Sequence, residues 1–332
     1  MDEKKKLRNS NIEILRFILM FAICVWHMFV HGFDLKDIGT YNFNVNNNYL
    51  LYCTILVPAV NCFMLISGFY GINFNIRKAI NFIFQASFYF WLGIILKYIL
   101  WGDFSFNKIL HIFPISTFAW WFLTIYFVIF LLSPIINTGI RNLSKKQYLI
   151  ILSILIFINS IGLYINRVSL GSNLQSLLIL YLLGRYMSIY KIKISKRLAL
   201  LIWIASTIIL ASLVLISTNI NLKISWLLLS YNNILIILQA IGILYFVLSF
   251  KEKHYKPFLF LGANCFAIYL LTGGIGLKLY KLWCTIYKFS PILSLLIILI
   301  VCLIIAGINF IQSRINNSVS NILYKKIIKY IQ

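Results

Sequence analysis

Residues 11–32 form an apolar run that is long enough to span a bilayer, yet this run carries ionisable side chains. Glu13 and Arg16 are three positions apart, which is close enough for an ion pair on a helix. His27 follows Arg16 by eleven positions, so the two lie on nearly the same helix face, ~16 Å apart along the axis. A charge in the hydrocarbon region is costly, and an ionisable residue there is a candidate functional residue. The pattern predicts a paired guanidinium near one end of this face and an imidazole near the other.

These residue types suit group transfer from a phosphate-bearing donor. A neutral histidine in a site of low dielectric is a competent general base, which could deprotonate a hydroxyl that attacks a thioester. The planar fork of Arg16 suits a phosphate or a carboxylate. A lone histidine on an apolar helix is more often a hydrogen-bonded core residue, but the face shared with Arg16 favours a catalytic role for His27.

The remaining histidines are weaker candidates. His31 lies one turn beyond His27 and could line a cavity that opens at that end of the helix, although an imidazole near a membrane surface needs no function. His254 lies in a lysine-rich loop and His111 in a loop before Pro114, where solvated side chains are the simpler interpretation.

Two further segments combine residue types that suit binding. Residues 67–71, with the sequence SGFYG, close the second apolar stretch and precede Arg77 and Lys78. Glycines at a helix end let the backbone approach a ligand or another helix, so this segment is either part of a site or a closely packed helix cap. Trp120 and Trp121 open the fourth apolar stretch, where an interfacial aromatic belt is the simpler interpretation and stacking on a sugar ring is the alternative.

Composition indicates the class of protein. Hydrophobic residues make up 61% of the 332 residues, and the mean hydropathy is +0.91, which indicates a polytopic helical membrane protein. The net charge of +23 does not indicate nucleic-acid binding, because the basic residues fall in alternate short loops. The six cysteines lie mostly within apolar stretches and share no metal-ligand spacing with one another or with histidine, so no metal is expected.

The apolar stretches predict an all-α fold of about ten transmembrane helices. The predicted spans are residues 11–32, 49–70, 79–101, 117–138, 147–165, 174–190, 198–217, 226–249, 257–280 and 291–312. Lysine and arginine concentrate in the loops on the side of the two termini, which predicts that both termini are cytoplasmic. Arg16 would then lie near the inner side of the membrane and His27 toward the outer side, with membrane lipids as partners.

The C-terminal residues 314–332 are predicted to form a separate helix. Their apolar residues recur at helical spacing with lysines on the other face, which is typical of a helix that lies on a membrane surface. The predicted organisation is a transmembrane domain over residues 1–313 and a cytoplasmic amphipathic tail over residues 314–332.

Four segments, in order along the chain, resemble the membrane-bound acyltransferase-3 family, which comprises bacterial ten-helix O-acetyltransferases of surface polysaccharides. NIEILRFILMFAICVWH resembles the opening Arg-x10-His helix of that family, with Arg16 and His27 at the motif positions. SGFYGIN followed by Arg77 resembles its second-span segment. WWFLTIYFVIFLLSPIIN resembles its fourth-span pattern of tryptophan or tyrosine, leucine and proline, and LGANCFAIYLL resembles its late-span Phe-x-Ile-Tyr-Leu segment.

The resemblance implies acetyl-CoA as the donor, met at the cytoplasmic side of a bacterial plasma membrane. It implies transfer of the acetyl group to a sugar hydroxyl of a cell-surface polysaccharide or its lipid-linked precursor. The chain departs from the family pattern at Glu13, where aspartate is common, and at Thr272, where histidine is common.

Taken with the residue patterns, the resemblance predicts an O-acyltransferase site. The predicted residues are His27, Arg16 and Glu13 for catalysis, Arg16, Ser67, Arg77 and Lys78 for the donor, and His31, Trp120, Trp121 and Tyr126 for the acceptor. His27 would act as general base on the acceptor hydroxyl or would first relay the acyl group. Arg16, held by Glu13, would orient the donor or stabilise developing charge.

The alternative is a transporter or flippase of polysaccharide or lipid-linked sugar, with Arg16 and His27 as a proton or anion relay. Such transporters usually show repeat symmetry and glycine- or proline-broken spans in matching halves, and the sequence shows neither. The sequence leaves open whether the protein forms a homo-oligomer.

Overall fold

The fold is a bundle of α-helices around the helix that carries Arg16 and His27. The computed structural model describes residues 8–33, 47–102, 114–115, 117–166, 171–220, 225–273 and 277–331, and these residues form fourteen α-helices and no strand. The helices are α1 (Ser10–His27), α2 (Asn47–Leu56), α3 (Pro58–Tyr70), α4 (Ile76–Trp101), α5 (Trp121–Arg141), α6 (Lys145–Asn166), α7 (Leu174–Ile189), α8 (Lys196–Asn219), α9 (Ser225–Leu228), α10 (Ile234–Leu248), α11 (Lys256–Asn264), α12 (Phe266–Thr272), α13 (Leu279–Phe289) and α14 (Pro291–Ile331). A π-helical turn, Met28–Gly32, continues α1.

Seven helical segments of the described chain are long and apolar enough to cross a membrane. They are Ser10–Gly32, Tyr49–Tyr70, Ile76–Trp101, Trp121–Arg141, Lys145–Gly162, Lys196–Asn219 and Pro291–Val319. Three shorter apolar helical segments are Leu174–Ile189, Ile234–Leu248 and Lys256–Thr272. The predicted all-α, multi-pass class is confirmed, whereas the count of about ten spans and the cytoplasmic position of both termini stay predictions.

Burial separates α1 from the helices at the periphery. In the most apolar window of Ser10–Gly32, 67% of the residues are buried, against 22% in α8. Helix α1 packs against α3, α10, α11, α12 and α14, so its side chains meet protein on most sides. The outer helices instead expose large apolar side chains such as Leu201 and Phe157, which a bilayer solvates. The chemistry-bearing helix is therefore the core element of the bundle.

Two predicted spans prove to be interrupted near α1. The span 49–70 is divided between α2 and α3 at Pro58, which has no backbone N–H to donate. The span 226–249 is interrupted between α9 and α10. There the side chain of Asn233 accepts a hydrogen bond from the Leu235 amide at 2.9 Å and donates one to the Leu228 carbonyl at 2.8 Å, which fixes a turn in place of a continuous helix.

The predicted span 257–280 is also divided. Helices α11 and α12 meet at Cys265, and α12 ends at Thr272 rather than continuing to residue 280. The amide group of Asn264 donates to the Phe260 carbonyl at 2.7 Å, one turn earlier. Helix α11 packs against α1, whereas α12, after the break, packs against α4 and α14 as well as α1.

Helices α3 and α7 approach each other backbone to backbone. A Cβ atom at Gly68 would meet the backbone of Tyr181, and one at Gly184 would meet the backbone of Leu65 and Phe69. Only glycine permits this approach. The contact fixes the C-terminal end of α3, with its segment SGFYG, against α7.

The C-terminal helix begins where its capping residues predict. The Ser290 hydroxyl accepts a hydrogen bond from the Leu293 amide at 3.3 Å, and Pro291 is the first helical residue. Helix α14 then continues without a break to Ile331, through the predicted boundary at residue 313. The division into a transmembrane domain and an amphipathic tail stays a prediction.

Candidate active site

A cavity lies against the face of α1 that carries His27. Its walls come from α1, α3, α5, the turn before α10, and α12, and its volume is about 40 Å³. The lining residues are Met20, Ile23, Trp26, His27, Val60, Phe63, Trp121, Phe122, Tyr231, Phe266 and Tyr269. An apolar lining with a few convergent polar groups is typical of small-molecule sites, and this cavity is narrower than the ~300–1,000 Å³ common for such sites.

His27 is the half-buried last residue of α1, at the point where the helix changes to the π-helical turn. Such turns are frequent at functional sites. The ring centroids of His27 and His31 are 5.4 Å apart, with the rings tilted by 49°. The ring of His31 also lies 5.5 Å from that of Tyr280 on α13. His31 is placed beside His27 but does not line the cavity.

Glu13 and Arg16 form the predicted ion pair. Arg16 Nη1 donates to Glu13 Oε1 at 3.1 Å, and Arg8 Nη1 lies 4.0 Å from the same oxygen. The Glu13 side chain is only 5% exposed, against 26% for Arg16. A buried carboxylate needs such partners, because desolvation of an unpaired charge is costly. Its second oxygen, Oε2, has no hydrogen-bond partner within the described residues.

Gly262 on α11 lets this carboxylate lie against a neighbouring helix. A Cβ atom at Gly262 would meet Oε2 of Glu13, and it would lie 2.5 Å from the Cβ and the carbonyl oxygen of that residue. No real Cβ atom shows such contacts. Gly262 therefore positions Glu13, and through it Arg16.

Two tyrosine side chains lie near the guanidinium of Arg16. Tyr126 on α5 and Tyr70 on α3 both lie within electrostatic reach of that guanidinium. The Tyr126 hydroxyl lies near the side chain of Ser67, and the Ser67 hydroxyl donates to the Phe63 carbonyl at 2.8 Å. The structure thus brings together Arg16, Ser67 and Tyr126, which the sequence placed in separate spans.

Arg16 and His27 lie on the same face of α1. Met20 and Ile23 lie between them on this face, and both line the cavity. The ring of Phe82 stacks with Tyr126 at 6.0 Å and with Phe266 at 5.7 Å, so aromatic contacts link the surroundings of Arg16 to the cavity wall. The arrangement places a paired guanidinium and an imidazole on one face of α1, with apolar side chains between them.

The two neighbouring tryptophans differ in their surroundings. Trp121 lines the cavity and stacks on Tyr231 at 5.7 Å, with an interplanar angle of 23°. Trp120 is buried outside the cavity, and its Nε1 donates to the Gly273 carbonyl at 2.9 Å. Trp121 can therefore stack on a ligand, whereas Trp120 holds the end of α12.

Arg77 and Lys78 lie on the surface in the first turn of α4, and five residues separate α4 from the end of α3. The Lys78 amide donates to the side chain of Asn75, the N-cap residue, at 3.3 Å. Both long side chains are exposed at the end of the bundle where Tyr70 neighbours Arg16. Their predicted role toward the donor stays a prediction.

Arg185 on α7 is a candidate that the sequence analysis missed. A Cβ atom at Gly71 would lie 2.7 Å from Arg185 Nη1, so the guanidinium lies directly against the end of α3. Gly71 has φ +79°, a left-handed conformation that favours glycine. Arg185 Nε is buried without a hydrogen-bond partner in the part of the chain that the structure describes. The signal was available, because Arg185 is an ionisable residue within an apolar span, as Arg16 is.

The remaining candidates fall outside the cavity. His254 Nδ1 is 2.9 Å from the Arg8 carbonyl, a contact that ties two surface segments together. Thr272 is buried, donates to the Ile268 carbonyl at 2.7 Å and lies 3.7 Å from Cys24 Sγ. His111 lies outside the described residues.

Comparison with known proteins identifies the family. The acyltransferase-3 family model, an acyltransferase domain, matches residues 9–309, which is most of the chain. No curated protein and no solved structure was found to match the chain. The matched range contains α1, the cavity and every candidate residue described above. The chain therefore belongs to the acyltransferase-3 family of membrane acyltransferases.

Proposed function

We propose that this membrane acyltransferase moves an acetyl group from acetyl-CoA to a hydroxyl of a sugar, in a cell-surface polysaccharide or its lipid-linked precursor. The observation that carries the proposal is the cavity face of α1. It presents the Glu13–Arg16 ion pair toward one end, His27 toward the other, and cavity-lining Met20 and Ile23 between them.

The proposed reaction is a direct transfer. His27 accepts the proton of the acceptor hydroxyl, and the hydroxyl oxygen forms a bond to the thioester carbonyl carbon. The carbon–sulfur bond breaks, and the sulfur leaves as a thiolate that takes up the proton, so that CoA is released as the thiol. His27 suits the first step because a neutral imidazole acts as a general base, which typically contributes ~10²–10⁴-fold to a rate.

The donor is proposed to lie with its phosphates at the Arg16 end. Arg16 is held by Glu13 in one orientation, and a fixed guanidinium fork suits a phosphate or a carbonyl oxygen that gains charge. Arg185, Arg77 and Lys78 supply further positive charge at this end of the bundle. Lysines concentrate in the loops at this end of the bundle, which predicts that this end faces the cytoplasm. A cytoplasmic donor would then reach Arg16 first.

The acceptor is proposed to enter at the His27 end. The stacked pair of Trp121 and Tyr231 forms an aromatic wall there, and aromatic faces with polar edges suit a sugar ring. The acceptor hydroxyl would then meet the imidazole from the side opposite to the donor.

The test is consumption of labelled acetyl-CoA by the purified full-length protein in detergent. We expect CoA release by the wild type, and loss of at least ~10²-fold in the His27→Ala variant. His254→Ala is the matched control, since this exposed ring contacts the Arg8 carbonyl and lies outside the cavity, and it should keep wild-type turnover. A folded wild type that neither binds nor consumes acetyl-CoA would refute the proposed donor and favour the transporter alternative.

A further inference from the structure

The face of α1 opposite to the cavity borders a second concave surface, which we call the basic groove. Ile18 precedes His27 by nine positions, which places it about 180° around the helix from the imidazole. The basic groove runs between this face and the end of α10, and its volume is about 420 Å³. It is lined by Asn11, Ile14, Leu15, Ile18, Val247, Phe250, Lys251 and Lys253.

One part of the basic groove is apolar and the other part is cationic. Ile14, Ile18 and Val247 come from the two helices, and Ile18 is 54% exposed. Lys251 and Lys253 lie in the turn after α10, and both residues are exposed. A third cation is adjacent, since Lys196 Nζ lies 4.3 Å from the ring centroid of Phe250.

The backbone of this turn is fixed to α1, and neither ion pair among the described residues engages the ammonium groups of Lys251 and Lys253. The Lys253 carbonyl accepts hydrogen bonds from the amide and the hydroxyl of Ser10, at 2.8 and 2.7 Å. The Lys251 carbonyl accepts one from Asn11 Nδ2 at 2.9 Å. The acidic residue of the turn, Glu252, acts electrostatically on Tyr70, which lies on α3 on the Arg16 side of α1.

We propose that the basic groove binds an anionic glycerophospholipid, with an acyl chain along Ile14 and Ile18 and the phosphate at Lys251 and Lys253. Basic pockets between transmembrane helices bind anionic lipid headgroups, because the charge attraction adds to the burial of the chain. The lysines select an anionic lipid over a zwitterionic one, and the isoleucines select a lipid over a soluble phosphate. The bound lipid supports the first turns of α1, directly behind Glu13 and Arg16.

The test is lipid binding to the full-length protein in a neutral detergent, followed by native mass spectrometry. The protein is titrated with dioleoylphosphatidylglycerol and, separately, with dioleoylphosphatidylcholine. The variants are K251Q/K253Q and the matched control K191Q/K193Q, whose lysines are also exposed in a loop between two helices. The K251Q/K253Q changes leave the backbone carbonyls that hold α1 in place, so the fold is retained.

We expect the wild type to prefer the anionic lipid. Each lysine near a phosphate contributes about fivefold in affinity, so K251Q/K253Q should bind phosphatidylglycerol about 25-fold more weakly. Its affinity for phosphatidylcholine should change less than twofold, and K191Q/K193Q should match the wild type. Equal wild-type affinity for the two lipids, or equal loss in both double variants, overturns the proposal.

A second variant tests the apolar part of the same site. Ile18→Trp places a larger side chain in the groove and keeps both lysines, so it should weaken the binding of both lipids at least fivefold. If Ile18→Trp binds phosphatidylglycerol as the wild type does, the lipid lies elsewhere. No acyl donor is present in these titrations, so their outcome does not depend on the proposed acyl transfer.

Discussion

The Arg16 end and the His27 end of α1 hold their ionisable groups by different means. At the Arg16 end, the guanidinium is paired with a buried carboxylate that lies against the backbone of Gly262. At the His27 end, the imidazole lies among aromatic and apolar walls, and no ion pair reaches it within the described residues.

The difference matches two chemical tasks. A cation fixed by a buried partner is oriented before a ligand arrives, which suits binding of an anionic donor. A neighbouring carboxylate would favour the protonated form of an imidazole, and neither ion pair among the described residues involves His27, so the imidazole can start the reaction in the neutral form that accepts a proton. The comparison separates donor binding at one end from proton transfer at the other.

The broadest effect is expected from a substitution at the Arg16 end, which should change both stability and donor binding. Gly262→Ala puts a Cβ atom into Glu13, and overpacking of this kind typically costs ~1–3 kcal/mol. Gly307→Ala on α14 is the matched control, because a Cβ atom there meets nothing within 4 Å. We expect Gly262→Ala to lower the unfolding midpoint and weaken acetyl-CoA binding, and Gly307→Ala to do neither. Measurement is by thermal unfolding and donor titration, and equal behaviour of the two variants would contradict the packing argument.

A change confined to donor affinity is expected at Arg185, which would extend the Arg16 end. Loss of a charge-assisted hydrogen bond to a phosphate costs ~1.5–3 kcal/mol, so Arg185→Gln should raise the KM for acetyl-CoA at least ~10-fold with kcat nearly unchanged. Arg185→Lys should restore part of the affinity. Arg141→Gln, an exposed arginine at the end of α5, is the control. A fall in kcat without a change in KM would remove Arg185 from the donor site.

A difference in stability separates the two tryptophans. Trp120→Phe removes the hydrogen bond to the Gly273 carbonyl and leaves that group unsatisfied, which should cost ~1–3 kcal/mol of unfolding free energy. Trp121→Phe keeps an aromatic ring on the cavity wall and should cost less than Trp120→Phe, because Trp121 is only partly buried. Denaturant unfolding in micelles measures both, and a larger loss for Trp121→Phe would reverse the structural assignment.

Much of the Arg16 end could be predicted from local spacing. Glu13 and Arg16 are three positions apart on one helix, so their pairing needs no tertiary information, and the structure shows it at 3.1 Å. The same rule for ionisable residues in apolar spans would have found Arg185. The roles of these residues in acyl transfer are inferred from the family and remain a proposal.

The His27 end depends on contacts that spacing does not encode. Tyr231 reaches the cavity because the predicted span 226–249 is interrupted. Its carbonyl accepts from Asn61 Nδ2 on α3 at 2.8 Å, a contact across 170 positions. Gly262 likewise has no local signal, since its neighbour Glu13 is far away in sequence. Such close approaches are set by helix packing, which a hydropathy pattern leaves undetermined.

The most direct measurement compares donor binding with turnover in Arg16→Ala and His27→Ala. Both variants are purified in detergent, checked for folding by thermal unfolding, and titrated with acetyl-CoA before single-turnover CoA release is measured. The account predicts that Arg16→Ala loses donor affinity at least ~10-fold, whereas His27→Ala binds acetyl-CoA within twofold of wild type and releases CoA at least ~10²-fold more slowly. Wild-type turnover by His27→Ala, or unchanged donor affinity in Arg16→Ala, would contradict the division of tasks between the two ends of α1.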